Sequence, residues 1–184
     1  MLRKLITFLT IYLCFILQCS VFNHISLGGI VPNILIIITA SFGFMRGQNT
    51  GMAVGLVAGL FIDIFFGSPF GFMVLIYTII GYLNGFFKNI FYPEDIKLPM
   101  ILITVSELVY CILYYIFKFL LRGRLNIGYY FVHIMLPEIV YTIIITLPLY
   151  LIIVWINEHL EAYERRNSKN CLAIIKNGCK ILQF

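Results

Sequence analysis

Long apolar stretches separated by short polar breaks dominate the chain. A helix needs about 20 residues to cross the apolar core of a bilayer, and six stretches come near or exceed that length. Runs such as Ile34–Ile38 are continuously apolar and do not alternate, which favours helices over the strands of a membrane barrel. The pattern predicts an all-α integral membrane protein, a six-helix transmembrane bundle. The six spans are Leu5–Phe22, Leu27–Met45, Gly51–Phe66, Phe70–Phe87, Leu98–Leu121 and Tyr129–Ile156.

The polar breaks between the spans contain residues that interrupt helices. Arg46–Asn49 follows the second span, Gly67–Pro69 the third, Pro93–Asp95 the fourth and Arg122–Arg124 the fifth. Glycine permits unusual backbone angles and proline lacks a backbone donor, so both mark turns. The spans are therefore predicted to form short helical hairpins, with residues 1–156 as one transmembrane domain.

The composition supports a membrane protein. Of the 184 residues, 61% are hydrophobic and 11% are charged, whereas a soluble domain has about 25% charged residues. A chain this short cannot hide so much apolar surface in a core. This excludes a soluble enzyme, a disordered chain and a secreted disulfide scaffold. The net charge of +5 comes from basic residues beside the spans, which fits membrane topology and gives no indication of nucleic-acid binding.

The basic residues predict the orientation. With a cytoplasmic N-terminus, ten of the 13 Lys and Arg residues lie inside, and Lys118, Arg122 and Arg124 lie outside. Cytoplasmic loops favour Lys and Arg, so both termini are predicted to be cytoplasmic. The first span resembles a signal peptide, but it lacks the small residues of a cleavage site. We expect this helix to be retained.

Residues 157–184 are predicted to form a basic cytoplasmic tail. Apolar residues recur at helical spacing between Leu172 and Leu182, with Lys176 and Lys180 among them. A short amphipathic helix on the anionic inner leaflet is one interpretation. A loosely ordered tail is the other.

Four charged residues fall inside the spans: Asp63, Glu107, Lys118 and Glu138. A charge inside a bilayer costs about 2.5–3.5 kcal/mol on insertion scales, so each is a candidate for an ion path, a ligand contact or helix pairing. The alternative is that the acids are protonated or near the interface and that Lys118 snorkels outward. Asp63 and Lys118 lie near the outer ends of their spans, so a pair between them would relieve the cost of burial.

The third span carries glycines four residues apart, at Gly51, Gly55 and Gly59, and Asp63 continues the same step. Glycines at this spacing leave a groove that lets another helix backbone approach closely. Packing inside the bundle and contact with a partner protein are the two interpretations of this groove.

Sequence signatures of catalysis are absent. The chain has no His-Glu-x-x-His pair, no Gly-x-Ser-x-Gly elbow and no Walker loop. Its three histidines are scattered, and the cysteine spacing matches no common metal pattern. We therefore expect neither an enzyme nor a cofactor.

The second to fourth spans carry a recognisable series of motifs. Val-Pro-Asn-Ile-Leu-Ile at Val31–Ile36 precedes Phe-Met-Arg-Gly at Phe44–Gly47, and the glycine stripe runs to Asp63. Gly-Ser-Pro-Phe-Gly at Gly67–Gly71 and Ile-Gly-Tyr at Ile80–Tyr82 follow. In this order and spacing, the segment resembles MreD, a family of bacterial rod shape-determining membrane proteins. The motifs cover less than a third of the chain.

The resemblance implies a non-enzymatic scaffold of the cell-elongation machinery in the bacterial cytoplasmic membrane. Its implied partners are MreC, the actin-like MreB, RodA and the penicillin-binding synthases of lateral peptidoglycan. The implied fold is similar to the substrate-binding subunits of energy-coupling-factor transporters. A single-span partner such as MreC is expected in the Gly51–Gly59 groove and at the hairpin of Gly67, Pro69 and Gly71, with Asp63 fixing the register.

Two other functions stay open. A vitamin-binding subunit of an energy-coupling-factor transporter has a similar size and six helices. Such subunits usually carry alanines four apart on the first helix, and Leu5–Phe22 contains none. A small proton-linked transporter is the other possibility, and only the buried acids support it. The sequence has no visible inverted repeat, which many such transporters show.

Overall fold

Every regular element that the structure describes is a helix. The computed structural model describes residues 2–24, 31–66, 71–90, 96–118 and 135–181, and these ranges contain no strand. The all-α fold class is confirmed. The helices are α1 (Leu2–His24), α2 (Ile34–Arg46), α3 (Gln48–Phe66), α4 (Phe72–Gly85), α5 (Lys97–Lys118) and α6 (Leu136–Ile181), and a 3₁₀ turn (Phe86–Ile90) extends α4.

Each of the six apolar stretches corresponds to one of these helices. Four segments are long and apolar enough to cross a membrane: Gln48–Phe66, Phe72–Ile90, Lys97–Phe117 and Leu136–Leu160. Two shorter apolar helices cover Lys4–Ser20 and Ile34–Arg46. The second span was expected to begin at Leu27, whereas α2 begins at Ile34; residues 25–30 lie outside the described part.

Helix α2 is the central helix of the bundle. All thirteen of its residues are buried, and it packs against α1, α3, α4 and α5. Thirteen helical residues extend about 20 Å, which is less than the roughly 30 Å of a bilayer core. A helix enclosed on all sides is apolar all round, which explains the continuous apolar run from Ile34 to Ile38.

Helix α1 packs on α3 through aromatic rings. The ring of Phe61 on α3 lies 5.9 Å from Phe8, 6.0 Å from Tyr12 and 5.4 Å from Phe15, measured between centroids. Phe15 also contacts Phe65, at 5.1 Å. One of these contacts is stacked and the other three are tilted, and none is a perfect face-to-face sandwich. Together they hold α1 along one side of α3.

The chain forms two compact units, Met1–Tyr150 and Leu151–Phe184. Within the first unit, the N–H of Asn33 donates to Thr142 Oγ1 on α6 at 3.2 Å. The rings of Phe44 and Tyr150 lie 6.3 Å apart. The second unit is helical from Leu151 to Ile181.

Candidate functional site

The glycines of α3 lie directly against the backbone of α4. A Cβ atom added at Gly51 would overlap the carbonyl oxygen of Gly81, and one added at Gly55 would overlap the carbonyl oxygen of Tyr77. At Gly59 the added atom would meet the backbone of Val74. Helix α4 therefore fills the groove that the glycine spacing predicts.

Helix α4 contributes glycines of its own to this contact. Gly85 faces the backbone of Gln48. A Cβ atom added at Gly43 on α2 would lie 2.9 Å from the carbonyl oxygen of Gly81, which is too close for a side chain. Three helices thus meet at Gly81. The sequence interpretation did not assign this role to Gly81 and Gly85, although they repeat the four-residue spacing seen on α3.

These contacts bear on the expected docking of a partner helix. Because the α4 backbone occupies the Gly51–Gly59 groove, a partner helix cannot lie there while the hairpin is intact. Of the expected hairpin residues, Gly67 and Pro69 lie outside the described residues. Gly71 immediately precedes α4 with a φ of +92°, a left-handed conformation that favours glycine.

Asp63 is 1% exposed and caps the N-terminus of α4. Its Oδ2 accepts hydrogen bonds from the N–H groups of Gly71 at 3.0 Å and Val74 at 3.3 Å, and its Oδ1 accepts one from Met73 at 3.2 Å. The first amides of a helix lack intrahelical acceptors, and the helix dipole favours a negative charge there. Asp63 therefore joins the end of α3 to the start of α4.

The cap also bears on the expected Asp63–Lys118 pair. Lys118 is the last residue of α5, and its side chain lies outside the described part of the chain. The three backbone amides already offset the cost of burying the Asp63 carboxylate. Neither a lysine nor a partner helix is needed to explain the position of Asp63.

A second set of polar contacts joins α4 to the region before α2 and to α5. The hydroxyl of Tyr77 donates to Asn33 Oδ1 at 2.7 Å. The amide of Asn84 donates to Ser106 Oγ at 2.7 Å and to the carbonyl of Ile80 at 2.9 Å. Buried polar groups with partners fix the relative positions of the elements that carry them. These pairs could not be identified from the sequence, because uncharged Asn and Ser residues are common inside apolar spans.

The buried acids of α5 and α6 meet in space. The ligand atoms of Glu107, Cys111 and Glu138 all lie within 4.8 Å of one another. Glu107 is 1% exposed, and neither of its carboxylate oxygens has a hydrogen-bond partner among the residues that the structure describes. The Cys111 thiol lies 4.0 Å from Glu138 Oε2, a long contact.

This acid cluster, Glu107, Cys111 and Glu138, lies among aromatic side chains. Tyr115 and Met135 pack with Cys111, and Tyr110 lies against them. Two carboxylates facing each other in apolar surroundings repel, and a shared proton or a bound cation removes that repulsion. Carboxylate oxygens together with sulfur suit a borderline metal such as Zn²⁺. The sequence identified both glutamates, but it did not indicate that they meet or that Cys111 joins them.

One family comparison matches most of the chain. The sequence model of the family described as rod shape-determining protein MreD matches residues 1–157. This segment contains α1 to α5 and the beginning of α6, with the glycine contact, the Asp63 cap and the acid cluster. No curated protein and no solved structure matches the chain.

Proposed function

Because the chain belongs to the MreD family of rod shape-determining membrane proteins, we propose that it acts as a non-enzymatic scaffold of the cell-elongation complex. In this proposal it lies in the bacterial cytoplasmic membrane and links MreC and MreB to RodA and the penicillin-binding synthases. It positions the proteins that build lateral peptidoglycan and carries out no chemistry itself.

The observation that supports a scaffold is the rigid connection between α3 and α4. Gly51, Gly55 and Gly59 bring the two backbones into contact, and the Asp63 carboxylate holds the first turn of α4. Backbone contacts cannot adapt by rotamer changes, so this hairpin keeps one shape. A protein that orients partners needs such a fixed frame.

With the groove filled, partner spans are expected on the outward faces of the bundle. On α1, Leu5, Leu9 and Leu13 repeat every four residues and are all exposed. On α5, Ile101, Val105 and Ile112 are exposed as well. Helices associate in lipid through close packing of such faces, so the two faces are the candidates for contact with a single-span partner such as MreC.

A pull-down from the native membrane in mild detergent, followed by mass spectrometry, tests the proposal. Recovery of MreC with wall-synthesis proteins is the expected result. Recovery of paired ATPases with their membrane coupling subunit would overturn it and indicate vitamin uptake.

Two matched triple variants locate the contact. One changes the α1 residues Leu5, Leu9 and Leu13 to Ala, and the other changes Ile101, Val105 and Ile112 on α5 to Ala. Each removes three exposed side chains, so the effect on folding should be small and similar. The face that holds the partner is the one whose variant recovers several-fold less of it. Full recovery with both variants would exclude both faces.

A further inference from the structure

A polar cavity of about 390 Å³ lies where α2 ends and α3 begins, beside the 3₁₀ turn that follows α4. Two cationic residues, Arg46 and Lys88, line it, together with the side-chain amides of Gln48, Asn49 and Asn89. Among the residues that the structure describes, none that lines the cavity is acidic. The cavity therefore combines two positive charges with several hydrogen-bond donors.

The position of Arg46 is fixed by its own contacts. This residue is 9% exposed, its Nη1 donates to Thr7 Oγ1 at 2.9 Å, and its guanidinium carbon lies 4.6 Å from the centre of the Phe42 ring. A guanidinium held in this way loses little conformational entropy when it binds an anion. The cation is therefore preorganised at the wall of the cavity.

Lys88 reaches the same place from the 3₁₀ turn. A Cβ atom at Gly47 would lie 3.0 Å from Lys88 Cδ and 3.7 Å from Lys88 Nζ. The lysine therefore extends across Gly47, the residue between α2 and α3, whose φ of +97° is in the left-handed region. This places the ammonium group beside the beginning of α3.

The N-terminus of α3 adds backbone donors to the cavity. The N–H of Gly51 donates to the carbonyl of Gly47 at 3.0 Å, so the amides of Gln48 and Asn49 precede the first hydrogen-bonded turn. Such amides and the helix dipole favour an anion. With Arg46 and Lys88, they form a site suited to a phosphate group.

The surroundings of the cavity favour a phosphate group that belongs to a lipid. Phe86 lines the cavity, and Phe86, Phe87 and Ile90 on the 3₁₀ turn are 53%, 40% and 54% exposed. The cavity also lies at the ends of two segments that are long and apolar enough to cross a membrane, so we expect it at the depth of the lipid headgroups. A polar pocket beside exposed apolar side chains fits a headgroup and its acyl chains.

We propose that this cavity binds the phosphate group of an anionic phospholipid. Arg46 and Lys88 neutralise the phosphate, the α3 amides donate to its oxygens, and the acyl chains lie along Phe86, Phe87 and Ile90. Basic pockets between transmembrane helices bind lipid headgroups in this manner. The described residues that line the cavity include none of the α1 and α5 residues proposed for partner contact.

Native mass spectrometry of the full-length protein with added lipid tests the site. The probes are phosphatidylglycerol, zwitterionic phosphatidylcholine and inorganic phosphate. Retention of phosphatidylglycerol at least tenfold above phosphatidylcholine is expected, and inorganic phosphate should compete only weakly. Equal retention of the two lipids would overturn the proposal. Strong binding of inorganic phosphate without lipid retention would identify a free anion as the ligand and overturn the lipid source.

Charge reversal at one lysine locates the binding. Lys88→Glu should lower phosphatidylglycerol retention about tenfold, because it replaces an attraction with a repulsion inside the cavity. Lys97→Glu is the matched control, since Lys97 is an exposed lysine of α5 that does not line the cavity. Both variants change exposed residues and should keep the unfolding temperature of the parent. Equal loss with both, or no loss with Lys88→Glu, would refute the site.

Discussion

Asp63 on α3 accepts a hydrogen bond from the N–H of Gly71, the residue immediately before α4, at 3.0 Å. Two further amides of the first turn of α4 donate to the same carboxylate. The α3–α4 turn is thus closed by a side chain in one helix and the backbone of the next. The residues between them, 67–70, lie outside the described part of the chain, so the stability of the hairpin can be tested most directly at Asp63.

Replacing Asp63 with Ala should destabilise the protein by about 3 kcal/mol, because three backbone amides at the start of α4 lose a charged acceptor. Asp63→Asn should cost less, about 1–2 kcal/mol, since the amide keeps one acceptor oxygen. Thermal unfolding in a single detergent measures both. The control is Ile64→Ala at the adjacent exposed position of α3. A loss for Asp63→Ala no larger than that of the control would contradict the cap.

Two glycines of this hairpin should respond differently to alanine. At Gly55 the added Cβ meets the Tyr77 backbone, which cannot move aside, so Gly55→Ala should cost about 2–3 kcal/mol. At Gly71 nothing lies within 4 Å of the added atom, and only the left-handed φ opposes the change, so a cost of about 1 kcal/mol is expected.

The same unfolding assay compares these two variants with Leu56→Ala, which changes an exposed neighbour of Gly55. If Gly55→Ala were as stable as the Leu56→Ala control, this would contradict the close contact between the α3 and α4 backbones at Gly55. If Gly71→Ala lowered the stability more than Gly55→Ala, backbone strain at position 71 would matter more for the hairpin than the close contact at position 55.

The helices could be predicted from the sequence because a bilayer imposes their length and polarity on each apolar stretch. The glycine spacing predicted a groove, because two helix backbones can approach closely only where side chains are missing. The occupant of the groove could not be predicted. The four-residue spacing of Gly51, Gly55 and Gly59 is equally compatible with packing against α4 and with packing against a helix of another protein.

The buried acids were predictable as individual residues and not as a site. Asp63 could be identified because it is a charged residue inside an apolar span. Its partners could not be identified, because they are backbone amides and every residue type except proline has one. Glu107 and Glu138 stood out in the same way, yet they meet only because α5 and α6 pack together. Arg46 and Lys88 were interpreted as topology signals, and only the fold brings them to one cavity.

The acid cluster predicts that a lysine is tolerated at position 107 only if Glu138 is present. Glu107→Lys places a cation next to the Glu138 carboxylate, and the two charges offset their burial. Combining Glu107→Lys with Glu138→Gln leaves the lysine without a partner and should lower stability by about a further 3 kcal/mol. Thermal unfolding of the single and double variants measures the difference.

The control for this comparison combines Glu107→Lys with Glu158→Gln, which changes an exposed glutamate later on α6. It should be as stable as Glu107→Lys alone, because the removed charge is not in the cluster. Equal stability of both double variants would show that Glu107 and Glu138 do not face each other in the membrane.

The orientation derived from the basic residues makes a prediction at the two ends of α3. Asn49, near its beginning, and Phe66, at its end, are both exposed. The excess of basic residues on one side predicts that Asn49 faces the cytoplasm. In a cysteine-free background, a membrane-impermeant maleimide added to spheroplasts should label Phe66→Cys several-fold more than Asn49→Cys. Permeabilising the membrane should make the two equal. Labelling of Asn49→Cys in intact spheroplasts would invert the topology, and it would place the cavity of Arg46 and Lys88 at the outer leaflet.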